Sequence, residues 1–294
     1  WIVLAIIDNA VLEIAAVLVI AGRFHALGVI LHDAAHSRRS PRNTGTLFSV
    51  LCAYPIATTL EAMKYHHLRH HHFYGTELDP YLKRNSKLRN QFVASVLSVS
   101  VTFFKASALV PVWIVRPVVA IAAMRFSRIK TFYQRALLQD REQDLRDSQE
   151  LTECLNAEAG QLGFWIALLS VVYMLTIFSA LEATTAFKFY FLPLWLAGFV
   201  NVWRVLFEHD HSFRKSINQQ QDIEQVWATT ARISVPGFDW FFAPRNIGFH
   251  QAHHLYPTVG LKDLPQLHLR LVSTRDRGVV RDSMAGVPIS KGLN

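Results

Sequence analysis

Apolar residues in this chain fall in long, nearly unbroken runs rather than at alternate positions, so the first expectation is helices that are apolar all round. A helix crossing about 30 Å of hydrocarbon needs about 20 largely apolar residues, and three runs reach that length. Residues 11–31 are apolar apart from Glu13, Arg23 and His25. Residues 161–183 and 187–207 are separated by only a few positions and predict a tight hairpin whose outer ends share one side. Residues 1–7 read as the last turns of an earlier helix, turning at Asp8-Asn9. With neither Met nor a basic stretch at its start, the chain is expected to lack upstream residues.

A fourth apolar region, 91–124, contains Lys105, Pro111 and the pair Arg116-Pro117. It is too short for two crossings, and a single crossing would place the polar segments before and after it on opposite faces. It is therefore expected to be interfacial or re-entrant. Residues 46–60, interrupted by Pro55, are too short to span. The stretch 125–160 carries Arg125, Arg128, Lys130, Arg135, Arg141 and Arg146, which the positive-inside rule puts on the cytoplasmic face. The expected architecture is all-α: one domain over 1–294 with multi-pass membrane helices in 1–31 and 161–207. A cytoplasmic helical cap would be formed by 32–90 and 208–294.

Composition agrees with a membrane-embedded chain. Hydrophobic residues make up 51% and charged residues 18%, against about 25% charged in soluble domains. Phe 20, Tyr 8 and Trp 7 exclude disorder. Two cysteines, Cys52 and Cys154, supply neither a disulfide framework nor a four-thiolate metal site. The net charge of +8 suits anionic headgroups or an acidic protein partner and does not by itself indicate nucleic acid.

Histidine changes the picture. Twelve of the 14 fall in four groups: His32 and His36; His66, His67, His70, His71 and His72; His209 and His211; His250, His253 and His254. Each group follows the expected cytoplasmic end of an apolar segment or lies in the tail, so all four can meet at one surface. In HDAAH the imidazoles are i and i+4; in HLRHH and HQAHH they are i, i+3 and i+4, one face of a helix in each case. One such pentapeptide is a weak signal, but three at the ends of apolar helices point to a metal site. Imidazole suits zinc, copper, iron and nickel alike. Nine ligand positions exceed the four of a structural zinc, so two metals are the economical reading.

The boxes HDAAHSRR (32–39), YHHLRHHHFYGTELD (65–79) followed by Pro80, and NIGFHQAHHLYPTV (246–259) resemble those of the membrane fatty acid desaturases. RVLFEH (204–209) is similar to the element that supplies one further histidine in that family. The likeness runs from about residue 11 to 271. It implies a non-haem di-iron centre that uses O2 to abstract hydrogen from an unactivated C–H bond of a long fatty acyl chain. Carried over by position, the metal ligands would be His32, His36, His67, His70, His71, His209, His250, His253 and His254. Where some members have an Asn that reaches the site through water, this chain has Val205. Within the second box HLRHH fits the family better than a register starting at His66, leaving His66, His72 and His211 as supporting or solvated groups. No cytochrome b5-like or ferredoxin-like segment is visible, so electrons are expected from a separate donor of one of those types. The same boxes would serve a hydroxylase or ketolase acting on a lipid, sphingolipid or carotenoid; a different class is a non-catalytic zinc-binding membrane protein.

Other residues carry ordinary expectations. Asp33, Glu208 and Asp210 either orient imidazoles through the second ring nitrogen or cap helices, and Asp79 before Pro80 forms a turn. Arg204 is expected as a headgroup anchor, and His25 as a packed group with a hydrogen-bond partner. His268 should sit on the surface of an amphipathic helix, and Trp240, Phe241 and Phe242 should dock the tail on the membrane.

Overall fold

The computed structural model describes residues 9–37, 45–81, 91–142, 148–178, 183–209, 215–216 and 223–276. Among these the secondary structure is helical, with one isolated bridge between His209 and Thr230. Residues 1–7, Asp210 and His211 lie outside the described residues, whereas 184–186, the expected turn of the 161–207 hairpin, are helical.

Helix α1, Ala10–Ala35, starts where the Asn9 side chain accepts from the amides of Val11 and Leu12, satisfying two of the four donors a helix start leaves unpaired. A short helical segment over Thr46–Ile56 ends at Ala57, whose φ of 57° stops the helix. Thr59 then caps α2, Leu60–Phe73, through its hydroxyl to the Ala62 amide. The two segments are bent by 74° at this break. Helix α3 runs over Gln91–Arg125, α4 over Ser127–Phe132 and α5 over Gln149–Ile177, the last capped by the Ser148 hydroxyl. Helix α6, Leu192–Glu208, continues a helical stretch that begins at Thr184. Helices α7 (Ile223–Thr229), α8 (His250–Leu255) and α9 (Leu264–Asp276) follow, with short helical turns over Asp239–Phe242 and Pro244–Asn246 between α7 and α8.

Among the described residues, four helices are long and apolar enough to cross a membrane: Ala10–Ala35, Ser107–Arg125, Gln149–Ile177 and Thr184–Glu208. Two bear on the segments read from sequence. Residues 91–124 were expected to be re-entrant or interfacial, yet they lie in one unbroken 35-residue helix whose second half qualifies as a span. Pro111 and Pro117 do not break it; neighbouring helices compensate for lost amides in apolar surroundings. Helix α5 begins well before residue 161 because the carboxylate of Glu158, counted in sequence as part of a solvated charged stretch, is buried and paired with Arg116 of α3.

Helix α1 packs on α6, α3 on α5 and α6, and α2 on α1 and α5. Gly198 allows the close approach of α3 to α6, since a Cβ there would come within 2.6 Å of the Val110 side chain. Lys188 pairs with Glu13 at 3.0 Å, so α1 and the 184–208 helix start side by side and run parallel. Their far ends therefore deliver His32 and His209 to the same end of the bundle. Ile14, Val118, Ile166, Val171 and Phe178 are exposed along the long helices, an outward apolar surface suited to hydrocarbon.

Candidate metal centre

All nine imidazoles of the proposed ligand set gather at that end of the bundle. Helix α1 supplies His32 from its last turn and His36 from its C-cap. Helix α2 projects His67, His70 and His71 from one face, α6 ends at His209, and α8 carries His250, His253 and His254.

The imidazoles sort into two neighbouring groups. His32, His36, His67, His71 and His253 have ligand nitrogens all within 4.8 Å of one another; so do His70, His209 and His254. His250 joins the second group through its Nε2, 3.0 Å from that of His209. In the first group the Nε2 of His67 lies 2.9 Å from that of His36 and 3.1 Å from that of His71, and His71 Nε2 lies 3.1 Å from that of His253. In the second, His209 Nε2 lies 3.1 Å from those of both His70 and His254.

Hydrogen bonding does not account for this packing. The Nε2 of His209 faces three other Nε2 atoms, whereas a ring nitrogen offers one proton or one lone pair. Ligands at right angles around a metal with bonds of about 2.0–2.1 Å have nitrogens about 3.0 Å apart. The donor set thus fits two imidazole-rich metal shells, with α2 and α8 each contributing to both.

Groups behind the imidazoles set their orientation and tautomer. His70 Nδ1 donates to Asp79 Oδ1 at 2.8 Å, and that carboxylate is itself held by the amides of Tyr81 (2.8 Å) and Gly75 (3.1 Å). His209 Nδ1 donates to the Val205 carbonyl at 3.0 Å. Both rings therefore turn an unprotonated Nε2 toward the cluster. Glu208 lies 3.6 Å from His250 Nδ1 and accepts both oxygens' worth of bonds from Arg204 Nη1, at 2.8 and 2.9 Å. Burial, reinforced by repulsion among neighbouring imidazoles, holds His250, His253 and His254 well below the ordinary histidine range, so they are neutral near pH 7 and free to act as ligands.

Several outlying residues differ from their sequence expectation. Arg204 is not a headgroup anchor: it is buried and spent on Glu208 and Asn201. Asp79 forms the expected turn and also holds His70. His268 is buried rather than on the surface, its ring stacked on Trp227 at 5.4 Å. Trp240 packs over Gly22 of α1, where a Cβ would meet it at 2.6 Å, and Phe242 packs on Trp203, while Trp240 stays partly exposed. His25 is packed as expected, with its Nδ1 2.7 Å from the Phe241 carbonyl. His66 points away from the cluster: its Nδ1 donates to the Ala62 carbonyl, and its Nε2 meets the Tyr81 hydroxyl at 2.9 Å. His72 is exposed. The tie from Asp79 to His70 spans nine positions and a turn, beyond the reach of any helical periodicity.

No curated protein and no solved structure matches the chain. The family model described as fatty acid desaturase matches residues 10–283, nearly the whole length, and the chain belongs to that family.

Proposed function

We propose that this protein is an O2-dependent di-iron desaturase that introduces a double bond into a long fatty acyl chain. Membership of the family makes it an oxidoreductase-type enzyme that modifies fatty acyl lipids, and four long apolar helices make it an integral membrane protein. The finer reading is carried by one observation: two adjoining groups of buried imidazoles at one end of a bundle of apolar helices.

His32, His36, His67, His71 and His253 would hold one iron; His70, His209, His250 and His254 would hold the other. Iron bound there would supply O2 activation and removal of hydrogen from an unactivated methylene. The protein's own part is placement. Asp79 and the Val205 carbonyl keep His70 and His209 in the ligating tautomer, and Arg204 with Glu208 fixes the approach to His250. The apolar helices beneath would hold the acyl chain so that one methylene lies against the centre. A cytoplasmic histidine face is supported by Arg125, Arg128 and Arg135, which flank Ala123 and Tyr133 where these pack against α2. Those charges would also draw in a separate ferredoxin or cytochrome b5 type electron donor.

The test is lipid profiling of a host expressing the chain. A new double bond in acyl chains, lost in His70→Ala, supports the proposal. A hydroxylated or keto product would instead place the protein with lipid hydroxylases or ketolases, and bound zinc without turnover would mean a non-catalytic role.

A further inference from the structure

The break between the Thr46–Ile56 segment and α2 is gripped from two other helices by buried polar groups. Arg116 of α3 lies with its Nε 2.6 Å from Glu158 Oε1 of α5. The Tyr133 hydroxyl donates to the same oxygen at 3.3 Å. Gln161, one turn along α5, has its amide assigned with the nitrogen toward Glu158, the orientation in which it donates to Glu158 Oε2 at 3.3 Å and accepts the backbone N–H of Thr58 at 3.1 Å. Arg116 Nη2 reaches the Thr58 hydroxyl at 3.4 Å. Arg116, Tyr133, Glu158 and Gln161 are all buried, the last three completely.

Ionisable side chains at this depth are costly, and a buried ion pair is no better for stability than an apolar pair of the same volume. Here the pair is tied to a particular place. Thr58 sits between Ala57, with its positive φ, and Thr59, the cap of α2. The Thr58 amide closes the preceding helical segment on the Ala53 carbonyl at 3.3 Å and shares its proton with the Gln161 side-chain oxygen, so Gln161 ties the end of that segment to α5. From Thr59 a single rigid helix leads to His67, His70 and His71, which serve both imidazole groups.

We propose that Arg116, Glu158 and Gln161 are positioning residues for the metal centre: by holding Thr58 they fix the origin of α2 and hence the placement of its three imidazoles. This rests on the metal reading given above. A tilt of α2 about a loosened Thr58 would displace ligands in both groups at once, whereas a change confined to α8 or α1 would act on those helices alone.

The experiment uses the full chain in detergent, as wild type, as Gln161→Leu and as the paired variant Arg116→Met/Glu158→Gln, which removes both charges together. Two readouts are taken: hydrogen exchange of the amides of residues 60–65, and the d–d spectrum after Co(II) loading. Both variants are expected to keep a cooperative thermal transition. Their amides at 60–65 should exchange about tenfold faster, roughly the worth of one net hydrogen bond, with exchange in α9 unchanged, and the cobalt bands should shift. Wild-type exchange at 60–65 in Gln161→Leu, or faster exchange with an unaltered cobalt spectrum, overturns the proposal and leaves the cluster as glue between α3 and α5. If the paired variant fails to fold, Gln161→Leu decides alone. A wild type that binds no cobalt contradicts the metal reading instead, and the exchange readout still decides whether α2 is held through Thr58.

Discussion

Two buried arginine–glutamate pairs support this bundle, and they are built differently. Arg204 and Glu208 are i, i+4 on one helix, and Glu208 sits 3.6 Å from His250. Arg116 and Glu158 come from two helices and act on a backbone turn well before the histidines they serve. The first pair acts on one imidazole directly; the second sets the start of a helix that carries three. Charge inside an apolar bundle is thus tolerated where it orients ligands, either by contact or through a rigid helix.

The comparison is sharpened first by removing what both pairs serve. Ala in place of His32, His70, His209 or His253 should abolish turnover and lower bound iron, because a ligand position opens; His268→Ala should leave activity largely intact. Near-normal activity in His209→Ala would detach α6 from the centre. Next, Arg204→Met/Glu208→Gln should cost about 10–100-fold in activity, the usual toll of losing a group behind a metal ligand. A smaller loss than in Arg116→Met/Glu158→Gln would reverse the ranking of direct over indirect support. Asp79→Asn keeps the turn but weakens the acceptor for His70 and should reduce iron affinity at least about tenfold, measured by competition with a chelator.

The smallest effect concerns pH and lies away from both pairs. Burial, and then the charge of Arg232, lowers the His268 imidazole from its ordinary value of about 6.5. The unfolded chain therefore binds this proton more readily than the folded one, and stability falls as pH drops below about 6.5. His268→Phe should remove part of that fall, seen as a smaller difference in Tm between pH 7.5 and 5.5. An unchanged difference would mean that the ring titrates normally.

How much of this was legible in sequence follows the range of each interaction. Three of the four long helices were evident because apolar runs are local. The nine histidines were evident because their spacing matches one face of a helix, and because a family's boxes could be laid over them. Helix α3 was harder to place: its length is too short for two crossings and one crossing would part the polar segments on either side, while the contact that seats Arg116, Glu158, lies far along the chain on another helix. The same blindness made Glu158 look solvated and shortened α5. Arg204 looked like a headgroup anchor because its partner, Glu208, gives no sign of burial in sequence. His268 sits on an exposed-looking stretch, LPQLHLRL, and only the packing of Trp227 against it shows otherwise. The division of nine imidazoles into two groups has no counterpart in sequence order, since α2 and α8 each contribute to both.

On the function proposed above, these imidazoles hold two metal ions, natively iron. Metal quantification on protein purified in detergent and loaded with iron anaerobically tests it most directly. Two irons per chain are expected, with less in His36→Ala and in His254→Ala, one variant from each group. Loading that never exceeds one iron per chain would contradict it.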